Sequence, residues 1–267
     1  MKLKKKLNSE KVSKEVRKNI LLLTHKAKSA HIASALSIVD ILSVLYCSIL
    51  KIKSAKDKNR DVFVLSKGHA CLALYCVLGE MNFFSKKYLS SYGKNYTKLM
   101  AHASHHVPGV EFSTGSLGHG ISFAVGKALL FKNINSNRKI FVIISDGELN
   151  EGSTWESILF AAHHNLKNLT IILDYNKIQS LDRVEKTIQL EPLIKKMQSF
   201  NLNVINVNGH NHKSLRAKLK KKSKLKPKFI IANTIKGKGV SFMENTIEWH
   251  YKSPNKNQLN KALKEIN

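Results

Sequence analysis

The stretch ISDGELNEGSTWESILFAAHHNLKNLTIILDYNKIQS, residues 144–180, decides the fold of this chain. It starts at the end of one apolar run (KIFVIIS, 139–145), passes through a helical pattern and reaches a second apolar run (LTIILD, 169–174). A hard oxygen ligand follows each run, Asp146 after the first and Asn176 after the second. Two apolar strands joined by a helix are typical of a parallel sheet wrapped by helices.

Three further runs predict additional strands: DVFVLS (61–66), NVINVN (203–208) and KFIIAN (228–233). The four longer runs of the chain are apolar almost throughout instead of alternating, which indicates strands covered on both faces. We therefore expect an α/β fold with a mostly parallel central sheet and helices on both faces.

Helical patterns lie between and around these runs. Residues 9–28 place apolar side chains on one stripe and predict an amphipathic helix. Residues 35–50 predict a second, nearly apolar helix, and the glycine-dense stretch 107–120 predicts an irregular loop that enters another helix. The lysine run 217–228 and the stretch 255–266 predict exposed helices.

The composition predicts one large domain. A chain of 267 residues with 43% apolar residues can bury a substantial core, and no Pro/Gly/Ser-rich linker divides it. We expect a single domain over 1–267, with a basic, mobile tail at 1–9.

The formal net charge of +27 invites a nucleic-acid partner. The basic residues are nearly all Lys, however, although Arg reads bases and phosphates better, and they are spread along the whole chain. A solvated, compositionally biased surface is the simpler interpretation. A basic, nucleic-acid-associated protein built on a non-catalytic fold stays open as an alternative.

Cysteine usage and the termini bear on the compartment. Cys47, Cys71 and Cys76 form no CxxC pair, and an odd, sparse count favours a reducing environment. The basic N-terminus is followed by no apolar core long enough for a signal peptide or a membrane span. We expect a cytoplasmic protein that does not bind membranes.

The ends of the two central strands suggest a ligand site. Ligands of open α/β sheets bind beyond the carboxyl ends of the strands, so Asp146, Asn176 and the backbone near Ile178 should meet in one crevice. Such oxygen donors suit Mg²⁺ shared with phosphate oxygens. Gly147 lets a phosphate approach its N–H, and the helix expected over 151–165 points its positive end there. Ordinary strand-end turns are the alternative, since Asp-Gly and Asn are common in turns.

Over residues 20–254 the chain resembles thiamine-diphosphate-dependent enzymes, and within them the N-terminal, diphosphate-binding domain of transketolases. The resemblance rests on segments that occur in the family's order: KSAHIASALSIVDILSVLY (28–46), DVFVLSKGHA (61–70), PGVEFSTGSLGHG (108–120), SDGELNEGSTWE (145–156), DYNKIQ (174–179), VNGHN (207–211) and TIKGKG (234–239). Together these segments are highly specific, whereas each alone would be weak.

The resemblance implies a cofactor site. Asp146, Asn176 and the Ile178 carbonyl would hold Mg²⁺ together with two diphosphate oxygens of thiamine diphosphate. Gly147 and His69 would contact the diphosphate itself.

Other positions follow from the same resemblance. Three residues would touch the aminopyrimidine and thiazolium rings: Gly115, Ser116 and Leu117. Glu151 would lie at a contact between subunits beside the cofactor. Four histidines would line the substrate channel, hydrogen-bond sugar hydroxyls and move protons: His31, His69, His102 and His250.

Alternatives remain for the histidines. Each of the four could be a buried structural histidine. In HASHH, His105 and His106 compete with His102 for the channel position, and no Cys or HExxH motif supports a metal site there. His163 and His164 are interpreted as packing or surface residues.

Three departures from the family pattern bear on the substrate. Gly-Asp-Gly is replaced by Ser145-Asp146-Gly147, Ser-Gly-His-Pro by residues 29–32, and Gly-Gln-Gly by residues 118–120. They indicate a divergent branch and leave the sugar open.

Length is the larger departure. A full transketolase continues into a pyrimidine-binding domain, which supplies the glutamate that activates the cofactor, and a C-terminal domain. No candidate for that glutamate is identifiable here. We expect one half of a split transketolase, which acts on phosphorylated sugars, self-associates and assembles with a C-terminal transketolase subunit. We also expect an apolar interface around 115–117 and 151–155. A related enzyme, resembling deoxyxylulose-phosphate synthase or acting on an unusual sugar, is the main alternative.

Overall fold

The computed structural model describes residues 7–266. Within them the chain forms ten α-helices: α1 (Ser9–Ala27), α2 (Ile32–Ser37), α3 (Val39–Val44), α4 (Cys71–Glu80), α5 (His119–Asn133), α6 (Gly152–His163), α7 (Val184–Thr187), α8 (Leu193–Ser199), α9 (His212–Lys220) and α10 (Lys256–Ile266). The five strands are β1 (Val62–Leu65), β2 (Ile140–Ser145), β3 (Leu169–Tyr175), β4 (Asn203–Asn208) and β5 (Lys228–Asn233). No helix in this range has the length and apolarity needed to cross a membrane.

The strands form one parallel sheet in the order β1-β2-β3-β5-β4. Ser145 at the end of β2 is paired with Asp174 near the end of β3, so the loops after these strands emerge side by side. The expected parallel α/β fold is confirmed.

Helices cover both faces of the sheet. On β2, Phe141 and Ile143 belong to the apolar cluster formed with α1 to α4, α9 and α10. Ile140, Val142 and Ile144 belong to a second cluster formed with α5, α6 and α8. This double burial explains why the run is apolar at every position.

The edge strand β4 differs from the expectation of burial on both faces. Only Val207 of its six residues is buried, and the strand carries three asparagines. Because an edge strand has a free side and polar side chains tolerate water, these residues suit the edge and not the centre of the sheet.

Two predicted segments end or break differently. The helix expected over 35–50 is interrupted at Ile38 and finishes in a π-helical turn, Leu45–Ile49. The helix expected over 217–228 ends at Lys220, and Lys228 already belongs to β5.

Both ends of the described chain contain buried residues where the sequence predicted a mobile tail and an exposed helix. Of the mobile tail expected at 1–9, residues 1–6 lie outside the described residues. Its last part is wrong as predicted, because Asn8 caps α1 and Ser9 is the first residue of that helix and is buried. The last helix is not simply exposed, since Leu259 and Ala262 are buried in the cluster that includes α1.

Candidate functional site

The loops after β2 and β3 open into a cleft of about 420 Å³ at the carboxyl edge of the sheet. The cleft brings together eleven of the twelve residues predicted from the sequence: His31, His69, His102, Gly115, Leu117, Asp146, Gly147, Glu151, Asn176, Ile178 and His250. Ser116 is exposed and is not among the lining residues, so its cofactor contact stays a prediction.

Asp146 is a buried carboxylate, only 2% exposed. It accepts hydrogen bonds from the N–H groups of Gly147 (2.8 Å) and Lys177 (2.7 Å), and it makes no ion pair with any residue in the described chain. Burial, followed by the nearby Asp174 carboxylate, raises the pKa of Asp146 to about 7. A carboxylate in this state favours a bound cation, because a cation would offset the cost of keeping its charge buried.

Asn176 and Ile178 supply neutral oxygens beside Asp146. The amide nitrogen of Asn176 donates to Asp174 (3.1 Å), and its Oδ1 accepts the N–H of Ile178 (3.1 Å). The Ile178 carbonyl accepts from Lys236 Nζ at 3.0 Å and keeps a second lone pair. No group of three or more His, Cys, Asp or Glu suited to a metal exists in residues 7–266. One carboxylate with neutral oxygens fits Mg²⁺, which takes few protein ligands and shares phosphate oxygens.

Gly147 leaves room for a ligand. A Cβ at this position would meet nothing closer than the Gln179 side chain at 3.5 Å, which is ordinary contact within the chain. The packing of the protein therefore does not itself require glycine here. Close approach of a diphosphate to the backbone would require it.

The helix expected over 151–165 does not begin at the strand end. A 3₁₀ turn, Gly147–Asn150, comes first, and α6 starts at Gly152. The first N–H groups beside Asp146 thus belong to the 3₁₀ turn, where that of Gly147 donates to Asp146 itself, while α6 follows one turn later.

A buried ion pair under the cleft was not predicted. Lys67 Nζ lies 2.5 Å from Asp174 Oδ2, with the two side chains 1% and 0% exposed. Ser37 (2.6 Å) and Thr234 (2.5 Å) also donate to this carboxylate. Burial acts to raise the pKa of Asp174, but Lys67 and the hydroxyl donors outweigh it and lower the pKa below its usual value. The sequence signal was Lys67 at a strand end, two residues before His69.

Glu148 is a second buried charge that the sequence did not predict. It is fully buried, and it accepts hydrogen bonds from Ser66 Oγ and from the N–H of Gly118 (2.9 Å). Burial raises its pKa to about 7, against the hydrogen bonds, which lower it. Gly118 has a φ of 82°, and a Cβ there would collide with the Ser153 hydroxyl. Glu148 and this glycine together hold the glycine-rich loop at the mouth of the cleft.

The four predicted histidines form one cluster. The ring centroid of His31 lies 5.3 Å from that of His69, 5.8 Å from that of His102 and 5.0 Å from that of His250. His31 has a left-handed backbone (φ 69°), and its N–H donates to the His250 carbonyl at 2.7 Å. This contact joins the start of α2 to a loop more than two hundred residues later.

Three of these imidazoles are neutral at physiological pH. Burial, followed by neighbouring histidine and lysine charges, lowers the pKa of His31 to about 4. Burial and Lys236 lower the pKa of His250 to about 3, and burial with Lys67 lowers the pKa of His69 well below its usual value. Neutral imidazoles can both accept and donate a hydrogen bond, as contacts to hydroxyl groups require.

The histidines that competed with His102, and the pair at the end of α6, lie outside the cleft. His102 lines the cleft, whereas His105 is exposed and its ring is hydrogen-bonded to Ser113 (2.7 Å) and packed on His106 at 4.1 Å. His163, the last residue of α6, is exposed, and His164, directly after it, is half-buried.

Comparisons with known proteins agree with this geometry. The family model described as "Transketolase, thiamine diphosphate binding domain" matches residues 9–266. The chain is 39% identical to one subunit of the apulose-4-phosphate transketolase of Actinobacillus succinogenes, over 96% of this chain and 95% of that one. It is 36% identical to the 6-deoxy-6-sulfo-D-fructose transketolase subunit SqwG of Clostridium sp., over 88% and 87%.

Full-length transketolases match over part of their length. Human transketolase is 35% identical over 91% of this chain but 39% of its own length. The structure of transketolase from Campylobacter jejuni superposes with a TM-score of 0.91 and 29% identity, over 97% of this chain and 43% of that one. The chain thus spans about two-fifths of the length of these proteins. It belongs to the transketolase family, in which it corresponds to the thiamine-diphosphate-binding domain of a transketolase-type transferase.

Proposed function

We propose that this chain is the diphosphate-binding subunit of a two-chain transketolase. The complex would transfer a two-carbon ketol unit from a ketose phosphate to an aldose phosphate, with thiamine diphosphate and Mg²⁺. The observation that supports this most is the single cleft in which Asp146, Gly147, Asn176 and Ile178 meet the histidine cluster.

The chain would hold the diphosphate end of the cofactor. Asp146, Asn176 and the Ile178 carbonyl would hold Mg²⁺, and the N–H of Gly147 would face a phosphate oxygen. When bound, thiamine diphosphate supplies the reactive carbon and the electron sink for carbon–carbon cleavage. The protein contributes position and charge.

The histidines would manage the sugar. His31 and His69 are neutral, so each can donate one hydrogen bond to a sugar oxygen and accept another from a hydroxyl. His250 Nδ1 lies 3.0 Å from Lys236 Nζ, which can only donate, so the other ring nitrogen of His250 would donate to the sugar. His102 lies at the edge of the same cluster. Their shared position in the cleft that holds the cofactor residues suits groups that orient hydroxyls and move protons at them.

The partner would be a C-terminal transketolase subunit that closes the cleft. Two relatives that are named as single subunits of a transketolase match this chain along nearly their full length, which supports the split arrangement. We expected apolar surface at 115–117 and 151–155, but Thr154 is buried and the Trp155 indole N–H donates to Leu149 O (2.7 Å). Exposed apolar side chains lie nearby, at Leu159 and Leu181. Association of this chain into a homodimer is part of the same proposal. So is a cytoplasmic location, which the three free thiols favour.

Co-purification with the candidate partner tests the proposal. The complex should transfer ketol units from a ketose phosphate only when thiamine diphosphate and Mg²⁺ are both added, and neither of the two chains should be active by itself. A complex carrying Asp146→Ala is the negative control. Turnover by this chain without the partner would contradict the split-enzyme proposal.

The sugar is a separate question. Two relatives are named for apulose-4-phosphate and 6-deoxy-6-sulfo-D-fructose. These names favour an unusual ketose as the substrate, and the sugars of the pentose phosphate pathway are the other candidate. A panel of ketose phosphates and sulfonated ketoses, compared by kcat/KM in the reconstituted complex, distinguishes the two.

A further inference from the structure

A second cleft lies at the opposite, amino edge of the sheet and has a volume of about 510 Å³. Eight of its fifteen lining residues are Lys or Arg, and none is Asp or Glu. They come from segments far apart in the sequence, among them Lys51 before β1, Lys139 before β2, Lys167 before β3 and Lys222 before β5. The cleft shares no residue with the catalytic cleft, and a six-residue strand separates the two by about 20 Å.

Carboxylates in the described part of the chain neutralise little of the positive charge of this cleft. None of its eight basic side chains forms an ion pair with a carboxylate in the described part of the chain. Asp61, the acid beside it, is buried and accepts the backbone N–H groups of Lys51 (2.9 Å) and Lys139 (2.9 Å) instead. Like charges gathered in a concave surface focus a positive potential that attracts anions.

Lys228 is a buried lysine of this cleft. It is only 5% exposed, and its Nζ donates to the carbonyls of Leu219 (3.0 Å) and Lys218 (3.4 Å) without a counter-ion. Burial, followed by the neighbouring Lys139, lowers its pKa to about 8. A bound anion would relieve both the burial cost and the repulsion.

The shape and chemistry favour a small, highly charged ligand. The volume lies within the roughly 300–1,000 Å³ of small-molecule sites. Lysines act as point charges on phosphate, and Ser136, Asn137 and Ser223 add neutral hydrogen-bonding groups to the lining. One phosphate could meet only a few of the eight basic groups. We propose that this cleft binds an oligophosphate anion, the shared chemistry of a nucleoside triphosphate and of inorganic triphosphate, at a site separate from catalysis.

The test uses calorimetric titration of the full chain, without divalent metal, with ATP, inorganic triphosphate and inorganic phosphate. Both triphosphates should bind at least about tenfold more tightly than phosphate. Equal affinity for the two would identify the phosphate chain as the whole ligand, and tighter binding of ATP would add a contribution from the nucleoside. No preference over phosphate would overturn the proposal.

A matched pair of variants separates this site from the overall charge of the protein. Lys139→Gln/Lys167→Gln/Lys222→Gln should weaken triphosphate binding by about tenfold or more. Three exposed lysines elsewhere, changed as Lys87→Gln/Lys94→Gln/Lys98→Gln, remove the same charge and should change it less than about twofold. Circular dichroism verifies that both variants fold.

Two results with these variants would contradict the assignment. Equal loss of affinity in both would mean that only the net charge attracts the ligand. Tighter binding of a single-stranded RNA oligonucleotide than of ATP, lost in the cleft variant alone, would identify a nucleic-acid surface instead.

Discussion

Asp146 holds a charge that folding itself does not favour. Its pKa is raised to about 7, above the usual value of 3.8, so this group destabilises the metal-free fold as the pH rises from about 4 to 7. We predict that Asp146→Asn does not lower the thermal midpoint of the metal-free chain at pH 7.5 and, because it removes this buried charge, raises it. The same change should abolish Mg²⁺-dependent binding of thiamine diphosphate, measured by calorimetry.

Glu156→Gln, an exposed acid on α6, is the matched control and should leave cofactor affinity unchanged. Retained affinity in Asp146→Asn would show that Asp146 is only a turn residue.

Lys67 differs from Asp146 because its charge is paired. Removing it as Lys67→Met leaves the Asp174 carboxylate buried without a counter-ion, so we expect a loss of about 3–5 kcal/mol in the free energy of unfolding, measured with urea. Lys67→Met/Asp174→Asn removes both charges and should recover at least half of this loss. If the double variant is no more stable than Lys67→Met, the loss does not come from an unpaired Asp174 charge, and the prediction is wrong.

At the scale of residues, adjacency in the sequence decided what could be predicted. Asp146 and Asn176 were predicted because each is an oxygen donor of the kind that binds Mg²⁺ and lies within two residues of the end of an apolar run. Lys67 and Glu148 were not, although both also lie close behind an apolar run, because nothing local shows that tertiary packing will bury either charge against a distant partner. Their partners, Asp174 and Gly118, lie 107 and 30 residues away.

Among the elements, a charged cluster joins α1, α3, the loop before α9 and the first residue of α9. Asp40 accepts from Arg17 (2.6 Å), His210 (2.8 Å) and His212 (3.0 Å). Burial acts to raise the pKa of Asp40, but the hydrogen bonds from these histidines and Arg17 outweigh it and hold the pKa far below its usual range.

This cluster predicts acid sensitivity. A depressed folded pKa stabilises the chain above the unfolded value of about 3.9 and loses that stabilisation as the pH falls below it. Asp40→Asn should therefore cost about 3 kcal/mol at pH 7, because Arg17 loses its partner, and the difference from wild type should shrink below pH 4. Urea titrations at several pH values measure this. Glu15→Gln, on the exposed side of α1, should show neither effect.

Element prediction succeeded where burial is uniform and failed where it changes along the element. α1 and β2 keep one pattern of apolar positions, and their predicted bounds agree with the structure to within one residue. The break at Ile38 was not visible, because the apolar pattern continues across it while Ser37 turns toward Asp174. β4 was assigned to the interior although its asparagines suit an edge.

For the whole molecule, the sequence indicated the layers but not their order. Continuous apolar runs predict a parallel sheet with two helical faces, and both are present. Nothing local in the sequence places β5 between β3 and β4, because strand order depends on how the crossovers pack. For the same reason, the lysines of the amino-edge cleft appeared evenly scattered along the chain.

The position of β5 also governs how the chain can fold as it leaves the ribosome. β5 is synthesised after the other four strands described here, yet it lies between β3 and β4 inside the sheet. Until residues 228–233 emerge, β3 has an unpaired edge and β4 has no neighbour in the sheet. Such long-range pairing is slow and leaves nascent strands open to wrong partners. The polar side chains of β4 and the high positive charge both oppose association between unfinished chains.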